Sequence, residues 1–89
     1  MQPIKEVILK SMGDKVIRYF LLVDHNDGGK TMYGICILEE INGTSLKEKI
    51  EGISENKDFV LELINYLSEN VIDTAHFKDI VEDYNVFSN

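Results

Sequence analysis

The chain has one cysteine, one proline and no tryptophan, and no run of like charges. Each scarcity removes a class of protein. A lone thiol, Cys36, forbids an internal disulfide, which fits a reducing compartment better than an oxidising one. The only proline is Pro3, and no Pro-, Gly- or Ser-rich stretch divides the sequence, so one domain over residues 1–89 is expected. The nine basic residues are scattered, whereas phosphate neutralisation needs clustered Lys and Arg; nucleic acid is not an expected partner. The longest apolar stretch, Val16 to Val23, is broken by Arg18 and falls far short of the roughly 20 residues that span a bilayer. The first residues, Met1-Gln2-Pro3-Ile4-Lys5-Glu6, lack the basic and apolar segments of a secretory signal. A cytoplasmic protein outside the membrane is the expectation.

Charge is present in quantity and unevenly placed. Residues 1–53 hold eight acids and seven bases, whereas residues 54–89 hold eight acids against Lys57 and Lys78 alone, so most of the net −7 belongs to the second half. That half predicts a basic protein as a possible partner.

The hydrophobic period changes along the chain, and the fold class follows from the change. Ile4–Ser11, Val16–Asp24 and Met32–Ile41 are rich in β-branched and aromatic residues and read as strands. Met12-Gly13-Asp14-Lys15 and Asn42-Gly43 supply tight hairpin turns between them. Ser45–Ile53 completes a strand set over about 4–53, although Leu46, Ile50 and Ile53 at i, i+4, i+7 also fit a short helix. From Ser54 the period becomes 3.6. Ser54 or Asn56 can cap a helix over about 55–71 with Phe59, Val60, Leu63, Ile64, Leu67 and Val71 as its stripe. Asp73 or Thr74 can cap a second over about 74–85, with Phe77, Ile80, Val81 and Tyr84 inward. The predicted fold is α+β: a four-stranded antiparallel meander followed by two C-terminal α-helices packed on one face.

An excess of apolar surface follows from this arrangement. The second strand offers Val16, Phe20 and Leu22 on one side and Ile17, Tyr19, Leu21 and Val23 on the other. Two helices of about 10 Å diameter cover only one face of a sheet about 19 Å wide. The second face is then buried by curling or by another copy of the chain, and a homodimer is favoured. A domain this small leaves little stability to spare without such help.

Chemistry-bearing motifs are sparse. Asp24-His25-Asn26-Asp27-Gly28-Gly29 begins like a calcium loop but puts Gly28 at the fifth position and Ile35 at the twelfth, so a polar hairpin loop is the better reading. His76, Asp79 and Asp83 fall at i, i+3, i+7, one edge of a helix, and are the candidates for a divalent-metal site; amphipathic filling at a helix start is the simpler account. His25 can join them only through the fold. Cys36 reads as a small hydrophobe in a strand with no positive neighbour to activate it. Asn42-Gly43-Thr44 is a sequon by letter and a turn by context. Tyr19, Tyr33, Tyr66 and Tyr84 read as edge-of-core rings with wet hydroxyls, and a groove lined by them is where a small ligand would sit. No catalytic residues and no cofactor are assigned, because no phosphate loop, nucleophile elbow or cysteine pair is present. A non-enzymatic interaction or regulatory module that self-associates through its sheet is the leading expectation, with a small-ligand or metal-binding domain as the alternative.

Arg18-Tyr19-Phe20-Leu21, Tyr33-Gly34-Ile35, Ile53-Ser54 and, most specific, His76-Phe77-Lys78-Asp79-Ile80-Val81-Glu82-Asp83-Tyr84 resemble an uncharacterised family of short proteins from low-GC Gram-positive bacteria. The resemblance covers about residues 17–85. It departs at Thr74-Ala75, where that family often has a proline. It implies no activity, only a self-contained domain in the cytoplasm.

Overall fold

The computed structural model describes residues 2–25 and 28–88, with side chains described for residues 11, 13–25 and 28–84. Gln2–Met12 (β1), Lys15–His25 (β2), Thr31–Ile41 (β3) and Thr44–Ser54 (β4) precede two helices, Lys57–Glu69 (α1) and Phe77–Ser88 (α2). All strand pairings are antiparallel, in the order β1-β2-β3-β4. The class is thus α+β, an antiparallel sheet followed by two helices, as the change of period predicts. Of the four strands expected, β2, β3 and β4 present described side chains, while β1 is described by its backbone pairing with β2.

The turns are set by residues that tolerate positive φ. Met12 pairs with Lys15 around Gly13, whose φ is +58, while Asn42 and Gly43 take φ values of 49 and 83 in the manner of a type I′ turn. The helical alternative for Ser45–Ile53 gives way to β4 because that turn aims the chain back along β3, where Ile41 meets Thr44 and Ile35 meets Ile50. Between Ile50 and Ser54 the register slips, and Gly52 at φ +63 absorbs the bend.

Alternation along the strands sends Ile17, Tyr19 and Leu21 of β2 and Ile35 and Ile37 of β3 to one face. There they meet Val60, Leu63, Ile64 and Leu67 of α1 and Phe77 and Val81 of α2, all buried. Each such aliphatic or aromatic side chain is worth about 1.5–3 kcal/mol when removed from water. Helix α1 crosses the sheet from β1 to β4, and α2 lies beside α1 over β4. The side chain of Asn56 caps α1 by accepting from the Phe59 amide, and Ser54 accepts in turn from the Asn56 amide.

Helix α2 starts later than its sequence suggests. Asp73 accepts the backbone N–H of His76 through Oδ1 at 3.2 Å, which closes a turn over 74–76, and the helical ladder begins with Ile80 donating to His76. Asp73 therefore caps a turn that leads into α2 rather than the helix itself.

Gly34 in β3 stands against the irregular part of β4, where a Cβ at Gly34 would run into the Ile50 carbonyl oxygen and lie 3.0 Å from the Glu51 Cα. Backbone cannot yield as a flexible side chain can. Gly34→Ala is accordingly expected to destabilise the protein by about 1–3 kcal/mol, read as a lower denaturant midpoint, while the same change at the open turn position Gly13 acts only through φ.

Candidate functional site

Polar side chains concentrate where the α1–α2 connection meets the sheet. Helix α1 ends at the Asn70 cap, and Val71 then takes φ 49, a left-handed conformation that a β-branched residue rarely adopts. The Val71 amide donates to Ser68 and the Ile72 amide to Leu67 at 2.9 Å, the two bonds of a Schellman ending with valine in the usual glycine position. That reversal brings the Ile72 carbonyl over β2. Tyr19, fully buried, donates its hydroxyl to this oxygen at 2.9 Å, with the Leu67 carbonyl farther off at 3.5 Å.

Beside Tyr19, Glu39 of β3 is only 4% exposed. Its Oε1 accepts from the Thr74 amide at 3.1 Å and from the Thr74 hydroxyl at 3.2 Å, and Lys15 lies 3.5 Å from Oε2. Lys15 also reaches Asp73 at 3.6 Å, and Asp73 Oδ1 lies 2.8 Å from Nδ1 of His76. Lys15, Glu39, Asp73, Thr74 and His76 form one connected lattice, and Tyr19 adds its bond to the neighbouring Ile72 carbonyl, so that the link between the helices is tied to two strands. No buried side-chain polar atom among the described residues lacks a partner, so the lattice is fully satisfied.

Its electrostatics follow from burial. Desolvation first, then the carboxylates of Asp73 and Glu39, pushes the Tyr19 hydroxyl up to about 12. The hydrogen bond from the His76 side chain holds the Asp73 carboxyl below its ordinary value, against the opposing effect of burial, with the His76 amide and the Lys15 charge adding to the lowering. A lattice of this kind can hold a loop in place.

The residues singled out by sequence fare differently. His76 is turned toward Asp73, and Asp79 and Asp83 are exposed on α2. Among the described residues, no three His, Cys, Asp or Glu side chains gather as a metal site would require. His25 lies in an exposed position at the end of β2, its Nδ1 3.0 Å from the Thr31 hydroxyl, and Asn26 and Asp27 of the calcium-like loop lie outside the described residues. Cys36 is buried as expected, and burial pushes its thiol above the ordinary value; positive neighbours are nonetheless present, since Lys47 and Lys49 of β4 pull against that rise. Tyr19 is wholly in the core rather than at its edge, because the Ile72 carbonyl replaces water at its hydroxyl. Glu39 and Lys15 gave no signal as a pair, since nothing local links them to Asp73 and Thr74.

The sheet's other face presents Val16, Arg18, Phe20 and Leu22 of β2, Cys36, Leu38 and Glu40 of β3, and Lys47 and Lys49 of β4, neighbours by register. Leu22 and Cys36 are buried within a single chain, and Val16, Phe20 and Leu38 are half-buried. Arg18 and Glu40 pair across the strands at 3.4 Å. The face is mixed rather than uniformly apolar, with a hydrophobic centre between charges.

Two outcomes test the lattice. Tyr19→Phe leaves the half-buried Ile72 carbonyl without its donor and should cost about 1 kcal/mol in chemical denaturation. Because the folded pKa of Tyr19 lies above the unfolded value of about 10, its stabilisation is intact below pH 10 and is lost as pH rises toward about 12. The absorbance difference between wild type and Tyr19→Phe should show that ionisation. Asp73 works with the opposite sign: its folded pKa is depressed, so its contribution is present above about pH 4 and is lost as pH falls through the folded value. Asp73→Asn should flatten the fall in stability below about pH 4, and a variant as acid-sensitive as wild type would refute this role.

No curated protein and no solved structure matches the chain. A family model does, across residues 2–86, nearly the whole sequence. With the sheet, α1, all but the last two residues of α2 and the linking lattice inside that span, the chain belongs to the family of unknown function DUF6514.

Proposed function

We infer that the protein is a non-enzymatic interaction module that self-associates through the sheet face opposite its helices. One observation carries this reading: both helices pack on the Ile17–Tyr19–Leu21 side, while Val16, Phe20 and Leu38 stay half-buried around Leu22 and Cys36 on the other. The molecule measures 43 × 26 × 18 Å, and its shortest dimension accommodates one sheet and one helical layer but no third.

The size and chemistry of that face suit a second copy. Strands about 36 Å long in a sheet about 19 Å wide give a face of about 700 Å². A standard interface takes about 800 Å² from each partner. A two-fold arrangement sets the same patch against itself, which a patch of one charge sign resists. Here Arg18, Lys47 and Lys49 share the face with Glu40, so charges of both signs surround the apolar centre. The sheet edges serve association poorly. Strand β4 carries Lys47 and Lys49 and ends in a bulge, and β1 slips register twice against β2, both devices that discourage edge pairing.

Sedimentation equilibrium tests the reading. The wild-type mass should rise from 10.2 kDa toward twice that value across the micromolar range. Phe20→Lys combined with Leu38→Lys should hold the protein at monomer mass with an unchanged circular dichroism spectrum. A wild type that stays at 10.2 kDa at every concentration defeats the proposal.

A further inference from the structure

We propose that the exposed aromatic patch between α1 and α2 docks a basic segment of another protein, with a lysine or arginine side chain over the ring of Tyr66. This does not depend on the sheet face. Phe59 and Tyr66 stand two turns apart on α1, and Tyr84 of α2 lies between them, its ring centroid 5.8 Å from Phe59 and 5.3 Å from Tyr66. The planes are tilted by 44° and 47°. Phe59 and Tyr84 are half-buried in this arrangement, whereas Tyr66 remains 41% exposed, and it and Leu46 are the large apolar side chains left open among the described residues.

Three features give that ring a negative setting. Glu62 and Glu69 sit at i−4 and i+3 from Tyr66, the positions that neighbour it on the helix surface, and both are exposed. Tyr66 lies in the last turn of α1, where backbone carbonyls sum to partial negative charge, and that turn contains no basic residue. Among the described residues, Glu62 and Glu69 form no ion pair. A cation is the missing complement, and a ring face flanked by carboxylates attracts one through its quadrupole as well as by charge.

The occupant is a chain segment rather than a small cation. The three rings lean on one another instead of enclosing a cage, so one open face alone binds weakly. Asp58, Glu62 and Glu69 follow one another along an exposed stripe of α1 about 16 Å long. Asp58 and Glu62, at i and i+4, are about 6 Å apart, close to the spacing of alternate residues in an extended peptide, and Glu69 lies about 10.5 Å farther on, within reach of the same segment. A net charge of −7 repels nucleic acid and anionic lipid from the same surface.

The test is an amide-shift titration of the full chain with a peptide of about six to eight alternating arginines and serines, at low and at physiological salt. Saturable shifts centred on Tyr66, Tyr84, Glu62 and Glu69 are expected. Tyr66→Leu, at an exposed position, should keep the fold and weaken binding about two- to fivefold. Glu62→Gln with Glu69→Gln should remove much of the salt dependence. Unchanged affinity in both variants, or shifts spread over every acid of the chain, overturns the proposal. So does tetramethylammonium reproducing the peptide's shifts and affinity, which identifies a small cation as occupant. A change in the protein's own association on Tyr66→Leu, with no effect on the peptide, also overturns it in favour of a second copy.

Discussion

Everything in the upper half of the fold depends on how the connection between the two helices is held down. A helix ending over a sheet leaves carbonyls that must find donors away from water. Val71 reverses the chain at a conformational cost of about 1–3 kcal/mol for a residue of its kind, and the Tyr19 hydroxyl is the donor that the reversal reaches. Replace that donor with water and the core opens, because Tyr19 has no exposed surface at all. Glu39 completes the arrangement one strand over by accepting twice from Thr74. A buried carboxylate is costly unless compensated, and here two donors and the Lys15 ammonium meet it. The lattice is therefore best understood as what fixes α2 in place, and through α2 the tilt of Tyr84 against Phe59 and Tyr66.

Glycine and charge do comparable positional work on the far side of the sheet. Gly34 lets β3 approach the bulged end of β4, which no side chain there would permit. Opposite it in register lies Leu22, which is 2% exposed although no helix covers that face. The lysines of β4 contribute too. Lys49 stands beside Cys36 and Lys47 beside Leu38 in the register, and both are exposed, so charge borders the centre of the face. The face thus holds a smaller apolar surplus than alternation alone implies, and the surplus that remains is concentrated at Val16, Phe20 and Leu38.

Most of the architecture was readable in the amino-acid order because local signals and the global fold agree. The switch from β-branched strands to a 3.6-residue period at Ser54, the Asn42-Gly43 turn and the cap at Asn56 each state their own geometry. Ambiguity arose where two periods overlap, as in Ser45–Ile53, and was settled by a turn rather than by the segment's own residues. The functional chemistry was much less readable. His76 looked toward Asp79 and Asp83 only on the assumption that the helix begins before it; the turn closed by Asp73 places it outside the helix and changes its partner. Lys15, Glu39 and Thr74 are far apart in sequence and carry no shared motif, so only the fold brings them together.

The two halves of the chain then divide the surface between them by charge. The open sheet face carries charges of both signs, Arg18, Lys47 and Lys49 with Glu40, and mixed charge around an apolar centre is the condition under which a face can meet its own copy. Helices carry four more acids than bases, which makes the same kind of self-contact unfavourable and leaves a cationic partner as the complementary one. The sheet face lies opposite both helices and the aromatic patch lies between them, so the two surfaces share no residue. A dimer built through the sheets would therefore carry two outward-facing acidic and aromatic surfaces, and a partner with two basic segments would gain from binding both at once, by an amount set by the spacing of those surfaces rather than by any new contact.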